Sequence, residues 1–564
     1  MENKAIARKL RLLSQLMELH DENPFKIKSV ANAAFKVDKL PFKLAEKDPT
    51  EVEKIDGIGK SLAGKIAELL QTGTIAEMDT LINNTPPGVV EMMGIKGIGP
   101  KKVAAIWRNM GIETVGELFY ACNENRLIEA KGFGLKTQQD ILKVIEFVMA
   151  SHGKFLYAQV EPEAKMLMDE LKSIFANNLI EFAGEYRRKC EIINELVIVV
   201  GTRDVEVAAG TLLTLSLLSN IEREGDCINA VTASGLKVKI YVVERRYFYT
   251  TLFIKTGDDE HVKAVTELEV EESDQPESEL LIYQKSGLTY IQPELREGKT
   301  FIEKAAADKL PTLITFADLK GSLHNHSNWS DGVNTLQEMA AYCRDTLKLE
   351  YLGISDHSKT AVYAKGLSIE RVLQQHEEIE HFNKTQTGFQ IFKGIESDIL
   401  SDGSLDYPED ILKRFDFIVA SIHSNMKMDE EKATARLIKA IENPYTTILG
   451  HPTGRLLLAR GGYPINYKKV IDACAANNVV IEVNSNPLRL DLDWRWHQYA
   501  LDKGVWLSIN PDAHRNEGFN DMHYGVLAAR KGGLYKERCL NALSLPEITQ
   551  FFKTKILTES AINA

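Results

Sequence analysis

The chain has 564 residues, 44% of them hydrophobic and 26% charged, and a formal net charge of −12. That length exceeds what one hydrophobic core usually supports, so a soluble protein of two to four domains is expected. The acidic balance excludes a grip on nucleic acid through bulk positive charge, but not phosphate contacts made by helix N-termini. No apolar run approaches the ~20 residues of a membrane span. Met1–Leu10 lacks the apolar stretch of a signal peptide, and the six cysteines form no Cys-x-x-Cys pair. A cytoplasmic protein with reduced thiols and no membrane association is therefore expected.

In chain order, the first elements are two similar segments, IDGIGKSLAGKIAELL (Ile55–Leu70) and IKGIGPKKVAAIW (Ile95–Trp107). Each runs from a hydrophobic residue through a Gly-x-Gly turn (Gly57 and Gly59; Gly97 and Gly99) into a helix. Glycines permit close backbone approach, and the free amides opening a helix donate to a phosphate without reading sequence. Lys60, Lys65, Lys101 and Lys102 place positive charge beside these turns. One such turn is usually only a tight turn. Two copies, with a weaker third at KGFGLKTQQDIL (Lys131–Leu142), resemble helix-hairpin-helix motifs. The resemblance implies a helical DNA-binding region over residues 1–150, of modest affinity because its basic and acidic residues balance.

An α/β stretch follows, carrying GEYRRKCEIINELVIV (Gly184–Val199) and KVKIYVV (Lys237–Val243), then YIQPELREGKTFIEKA (Tyr290–Ala305). From Leu319 the pattern changes to short apolar strands alternating with amphipathic helices at Thr335–Leu347, Ser368–Asn383, Asp429–Asn443 and Tyr467–Asn477. Seven such units predict a parallel sheet closed into a barrel, with its active site at the C-terminal strand ends.

Ten of the 13 histidines lie after residue 316, and most of them fall at those strand ends. His324 and His326 stand two apart, so both should point to one side and suit a shared ion. Asp331 follows, then His357 beside Asp356, Glu396, His423, His451, and the pair Asp512 and His514. Taken singly, each is more often a satisfied core or surface residue. Together, unpaired buried charges would cost several kcal/mol apiece, a cost that cations remove. Nitrogen and oxygen ligands without cysteine fit Mn²⁺ or Zn²⁺, and nine of them suffice for two or three ions.

The series HNH…D, SDH, ES, SIH, GHP and DAH resembles the motif set of the PHP (polymerase and histidinol phosphatase) domain. The resemblance implies a distorted (β/α)7 barrel over residues 316–564. It also implies one ion on His324, His326, Glu396 and Asp512, and a second on Glu396, His423 and His451. Asp331, His357 and His514 would hold a third. Arg455, four residues after His451, is a candidate phosphate clamp, with a surface salt bridge as the equal alternative.

Helix-hairpin-helix repeats, an α/β segment and a PHP domain, in that order, resemble the bacterial family X DNA polymerases along the whole chain. The Tyr290–Ala305 segment and RLDLDW (Arg489–Trp494) resemble that family's sequence too. The implied fold is multidomain α/β: helical region 1–150, a nucleotidyltransferase palm and thumb over 151–312, and the barrel. Such a palm needs a Gly-Ser turn and three aspartates for two metal ions. Here Gly184, Arg187 and Arg188 match, but the serine is Glu185 and the aspartate positions hold Glu195, Val197 and Lys239. Valine cannot coordinate, and lysine repels cations. The palm is therefore degenerate. In eukaryotic relatives a lysine at the place of Lys65 forms a Schiff base with an abasic sugar; a solvated helix lysine is the plainer reading.

These observations predict a metal-dependent DNA phosphodiesterase acting in repair as a 3′-to-5′ exonuclease, on single-stranded, gapped or damaged ends, without polymerase activity. A phosphomonoesterase of the histidinol-phosphatase type and a non-catalytic DNA-binding scaffold are the alternatives.

Overall fold

A computed structural model describes every residue except 41, 56, 96, 129, 131, 151–152, 268–274 and 563–564. Asp56, Lys96 and Lys131 of the hairpin segments thus lie outside the described residues. The rest separates into two compact units, Met1–Glu146 and Phe147–Ala564.

The first unit is helical. Its opening helix, Asn3–Leu19, buries Ile6, Leu10, Leu13 and Met17, a spacing that puts all four on one face. Asn23 caps the next helix, Pro24–Asp38, by accepting from the Phe25 amide at 2.9 Å. Both hairpin turns precede helices as expected: Lys60–Thr72 after Gly59 and Pro100–Met110 after Gly99. Gly57 and Gly97 stand at φ +82° and +99°, where a side chain would be strained, and so require glycine.

The second unit carries two main sheets. Strands β1 (Phe155–Leu156) and β3 (Ile192–Ile193) form a small antiparallel pair. Strands β2 (Leu179–Ala183), β4 (Glu195–Thr202), β5 (Ser219–Glu224), β6 (Cys227–Val231) and β7 (Lys237–Glu244) form a mixed sheet in the order β2-β4-β7-β6-β5. Helices Tyr157–Ile174 and Val205–Leu212 cover one face through Val160, Leu167, Leu171, Ala209 and Leu212, packed on Leu196, Ile198 and Val200.

The barrel consists of seven parallel strands in sequential order: β8 (Gly321–Ser322), β9 (Tyr351–Ile354), β10 (Gln390–Asp398), β11 (Phe417–Ser421), β12 (Ile448–Leu449), β13 (Val480–Asn484) and β14 (Leu507–Asn510). Past β8 and β14, Asn325 bridges Ala513 in parallel and the His326 amide donates to the Ala513 carbonyl at 2.8 Å, which draws the two ends together at the mouth. The helices begin where their caps dictate: Thr335, Ser368, Asp429 and Asn466 each accept from a backbone amide three residues on. The first of them runs from Leu336 to Ala341 and finishes as a π turn through Thr346.

Alternation along the strands sorts the barrel into layers. On β10, Ile391 and Ile395 face the helices, whereas Phe392 joins an inner cluster with Leu323, Phe417, Val419, Ile448 and Val480. The C-terminal helix Leu545–Ile562 plugs that floor with Ile548 and Phe552, the latter stacked on Phe417 at 5.4 Å between ring centres. Gly394 has no room for a side chain, since a Cβ there would lie 2.3 Å from Phe417. Two and four residues on, Glu396 and Asp398 rise on the same side above the apolar floor. The same step carries Val480 to Glu482 and Asn484 on β13. The polar mouth is a direct consequence of period two.

Candidate metal centre

His324 and His326 lie beyond β8, which ends at Ser322, so the expected strand pair is a strand extension. Both rings are fully buried. The nine anticipated residues, His324, His326, Asp331, His357, Glu396, His423, His451, Asp512 and His514, converge at the mouth. Glu396 lies at their centre. Its Oε1 is 3.0 Å from His451 Nε2, 3.1 Å from His423 Nε2 and 3.3 Å from His324 Nε2. Its Oε2 is 2.9 Å from His357 Nδ1 and 3.6 Å from His326 Nε2. One carboxylate therefore faces two sets of imidazoles, the geometry of a bridge.

His326 belongs to two groupings: with His324 and Glu396, as the resemblance implies, and with Asp331, His357 and His514. Its ring sits with Asp331, His357 and His514, stacked between the latter two imidazoles at 4.3 Å from each. It also approaches Asp512 Oδ1 at 3.0 Å. His324 clusters with His451 and Asp512. His324 and His326 thus share the Glu396 and Asp512 carboxylates, as the resemblance implies, while His326 also reaches the third set.

Electrostatics point to cation binding. Burial alone would raise the Glu396 carboxyl, but the surrounding imidazoles of His423, His324 and His357 hold it well below the usual range. Asp512 is likewise depressed by His324 and His326 against its burial. Burial, with His514 and His357 alongside, pushes His326 down to about 3, so the ring is neutral and one of its two nitrogens carries a lone pair that can meet a cation. Nε2 of His324, both nitrogens of His326, Asp331 Oδ2 and Glu396 Oε2 are buried without a hydrogen-bond partner. Orphaned acceptors rarely persist in a folded interior, and divalent cations would satisfy them together.

Sequence reasoning missed the groups that aim these ligands. Glu482 Oε2 holds His324 Nδ1 at 2.7 Å, and Asp398 Oδ1 holds His423 Nδ1 at 2.5 Å, so each ring turns its Nε2 towards the centre. The signal was present: Val480, Glu482 and Asn484 alternate inward on β13. Asp356 is not at the centre. It accepts from the Ser327 amide and hydroxyl, Ser330 and Gln375, fixing the turn that presents Asp331. Replacing Glu482 by glutamine should weaken metal binding and hydrolysis about 10- to 100-fold while the fold persists. Metal titration of the variant checks this, and unaltered affinity would refute it.

Arg455 does not face the centre. Its guanidinium pairs with Asp493 and donates to the carbonyls of Arg489 and Leu490, so the salt-bridge alternative describes it and the phosphate-clamp expectation is withdrawn. The buried cation beside the ligands is Arg489, whose Nε is 3.9 Å from Asp512 Oδ2.

In the mixed sheet, β4 pairs with β7 in a register that sets Val197 opposite Lys239. Glu195, two residues earlier, shares that face. Lys239 Nζ meets Glu195 Oε2 at 2.9 Å, an ion pair across the two strands. Glu185 accepts from the backbone and side-chain amides of Asn194, both at 2.7 Å. Arg187 is tied to Glu279 and Arg188 to Glu297.

In the first unit, Lys65 is ion-paired with Glu77, which also binds Lys26. Lys101 is exposed, and Lys102 lies over the Phe133 ring at 5.4 Å. Lys60 is the exposed first residue of its helix.

Comparison with known proteins agrees with this division. A helix-hairpin-helix domain family matches residues 1–75 and a SAM-like helix-hairpin-helix tandem matches residues 89–146. A probable phosphatase of Thermoanaerobacter sp. (strain X514) is 29% identical over 30% of this chain and 70% of its own length. A probable phosphatase of Acetivibrio thermocellus is 30% identical over 34% of this chain and 78% of its own. With the buried ligand cluster, these relatives make the chain a metal-dependent hydrolase built on a PHP-type barrel. The DNA polymerase/3′-5′ exonuclease PolX of Bacillus subtilis (strain 168) is 33% identical over 98% of this chain and 100% of its own length. The chain belongs to the PolX family, the bacterial family X DNA polymerases. Among the described residues, no helix is long and apolar enough to cross a membrane.

Proposed function

We propose that the protein is a DNA phosphodiesterase of the repair type, a 3′-to-5′ exonuclease trimming single-stranded, gapped or damaged ends, whose palm no longer polymerises. The observation that carries this reading is the contrast between its two inherited centres. The barrel keeps a buried set of orphaned ligands; the palm positions hold Glu195, Val197 and Lys239, two of them joined in an ion pair.

His324, His326, Asp331, His357, Glu396, His423, His451, Asp512 and His514 would hold two or three ions, with Glu396 shared between sub-sites. The all nitrogen-and-oxygen donor set suits Mn²⁺ or Zn²⁺. Bound cations supply acidified water and neutralise charge growing on the phosphoryl oxygens. The chain's own part is to fix that geometry. Asp398 and Glu482 hold two imidazoles in one tautomer, the apolar floor keeps water from the underside, and Arg489 offers a guanidinium to a non-bridging phosphate oxygen. The turns at Gly57–Lys60 and Gly97–Lys102 would receive backbone phosphates. Lys65 stays a candidate for abasic-sugar chemistry, for which it must leave Glu77.

The barrel's phosphatase relatives favour one second reading, a small-molecule phosphomonoesterase. Supplying labelled single-stranded, duplex and abasic DNA beside histidinol phosphate, with Mn²⁺, Zn²⁺ or Mg²⁺, separates the two. Release of nucleotides from 3′ ends is expected; turnover of histidinol phosphate alone would overturn the nuclease reading.

A further inference from the structure

After His357 the chain leaves the barrel mouth and returns at Leu367, whose amide donates to the His357 carbonyl at 2.8 Å. The excursion is rigidly held. The Thr360 amide donates to Asp406 at 2.7 Å and its hydroxyl to Asp398 at 2.8 Å, the same carboxylate that aims His423. Gly366 packs against the Ser358 carbonyl so closely that a Cβ would lie 1.9 Å from it. Arg371 donates to the Lys365 carbonyl at 2.6 Å. Ala361, Ala364 and Leu367 are buried, yet the tip displays Val362 at 81% and Tyr363 at 42% exposure. The Tyr363 ring lies 6.2 Å from the ring of buried His357. Beside His514, whose carbonyl accepts the Val333 amide at 3.0 Å, Val333 is 52% exposed.

Isolated apolar side chains on a surface need no explanation. These three are different, since Val362 and Tyr363 crown an immobilised loop, and Tyr363 and Val333 each lie beside a residue of the ligand cluster. A free phosphate or a small aliphatic ester would have no use for them. A nucleobase would, because every base offers a flat apolar face and stacks on an aromatic ring whatever its identity.

Resting on the nuclease reading above, we infer that Tyr363 is a specificity-determining residue: its ring stacks on the terminal nucleobase of a DNA strand, with Val362 and Val333 bordering the base, and so sets the end phosphodiester at the metal centre. The substrate class is then a strand with an unpaired terminal nucleotide. A stacked or paired terminus must first open.

The test is a cycle of Tyr363 substitution and base removal on the full chain, loaded with Mn²⁺. The substrates are a single-stranded oligonucleotide with an ordinary 3′ nucleotide and one whose 3′ nucleotide is a baseless tetrahydrofuran analogue. Tyr363→Ala should raise KM for the ordinary strand about tenfold or more with a smaller change in kcat, and Tyr363→Phe should retain most of the native KM. Removing the base should cost the native enzyme a similar factor, but cost Tyr363→Ala little further. Fully independent losses, or a Tyr363→Phe defect as large as that of Tyr363→Ala, would overturn the stacking role while leaving the nuclease reading intact. If the native chain degrades no oligonucleotide, the nuclease reading itself falls, and the stacking role with it.

Discussion

Replacing Glu396 by alanine should lower hydrolysis on the order of a thousandfold or more and release much of the bound metal. Its two oxygens lie within 3.6 Å of five imidazoles. Burial lowers His324 and His423, yet both are raised well above ordinary histidine: His324 by Glu482 and Asp512 and then by Glu396, His423 chiefly by Glu396. Without it, those rings lose the carboxylate that lies between them, and the charge that draws cations inward is reduced. Emission spectroscopy for metal content and strand degradation for activity should fall together. The far-ultraviolet circular dichroism should not, because the floor beneath Glu396 is carried by Phe392, Phe417 and Phe552. Full activity in this variant would remove the barrel from the chemistry.

The second large effect is an absence. Primer extension by the native chain, with Mg²⁺ or Mn²⁺ and all four nucleotides, should give no product under conditions where the same preparation degrades a strand. A two-metal nucleotidyl transfer needs carboxylates converging on both ions. Here the third carboxylate position is an ammonium bound to the first, and the second is a methyl-bearing side chain. Lys239 is 38% exposed and its hydrogen bond to Glu195 raises it further above neutrality, so it stays cationic throughout the working range. Changing Val197 to aspartate alone should not restore synthesis, since Lys239 would neutralise the new charge. Efficient nucleotide incorporation by the native chain would contradict this account of the palm.

The architecture was largely legible because its signals are local. Near-continuous apolar strands, caps such as Ser368 and Asp429, and Gly-x-Gly turns each act within a few residues, and the helices they bound begin within a residue or two of expectation. The candidate ligands other than Asp331 were legible as a set because each lies at or just past a strand's C-terminal end, and parallel strands bring those ends together. Their grouping was legible only in part: His324 and His326 share Glu396 as their spacing suggests, but the stacking of His326 between His357 and His514 was not, because β8 stops at Ser322 and no spacing rule covers the backbone beyond it. Arg455 failed for a related reason: proximity in sequence to His451 says nothing of Asp493, 38 residues on, which captures its guanidinium. Glu482 and Asp398 were hidden in plain alternation, since a carboxylate that orients a histidine looks in sequence like any other strand-end acid. The three substituted palm positions could be read from sequence, but their conversion into an ion pair needed the β4–β7 register.

The central claim is that catalytic metal has been kept in the barrel and lost from the palm. Crystals grown with Mn²⁺ and measured at the manganese absorption edge test it most directly. The account predicts two or three anomalous peaks among Glu396, Asp512 and the surrounding histidines, and none beside Glu195 and Lys239. A peak at the palm pair, or a barrel mouth without any, would contradict it.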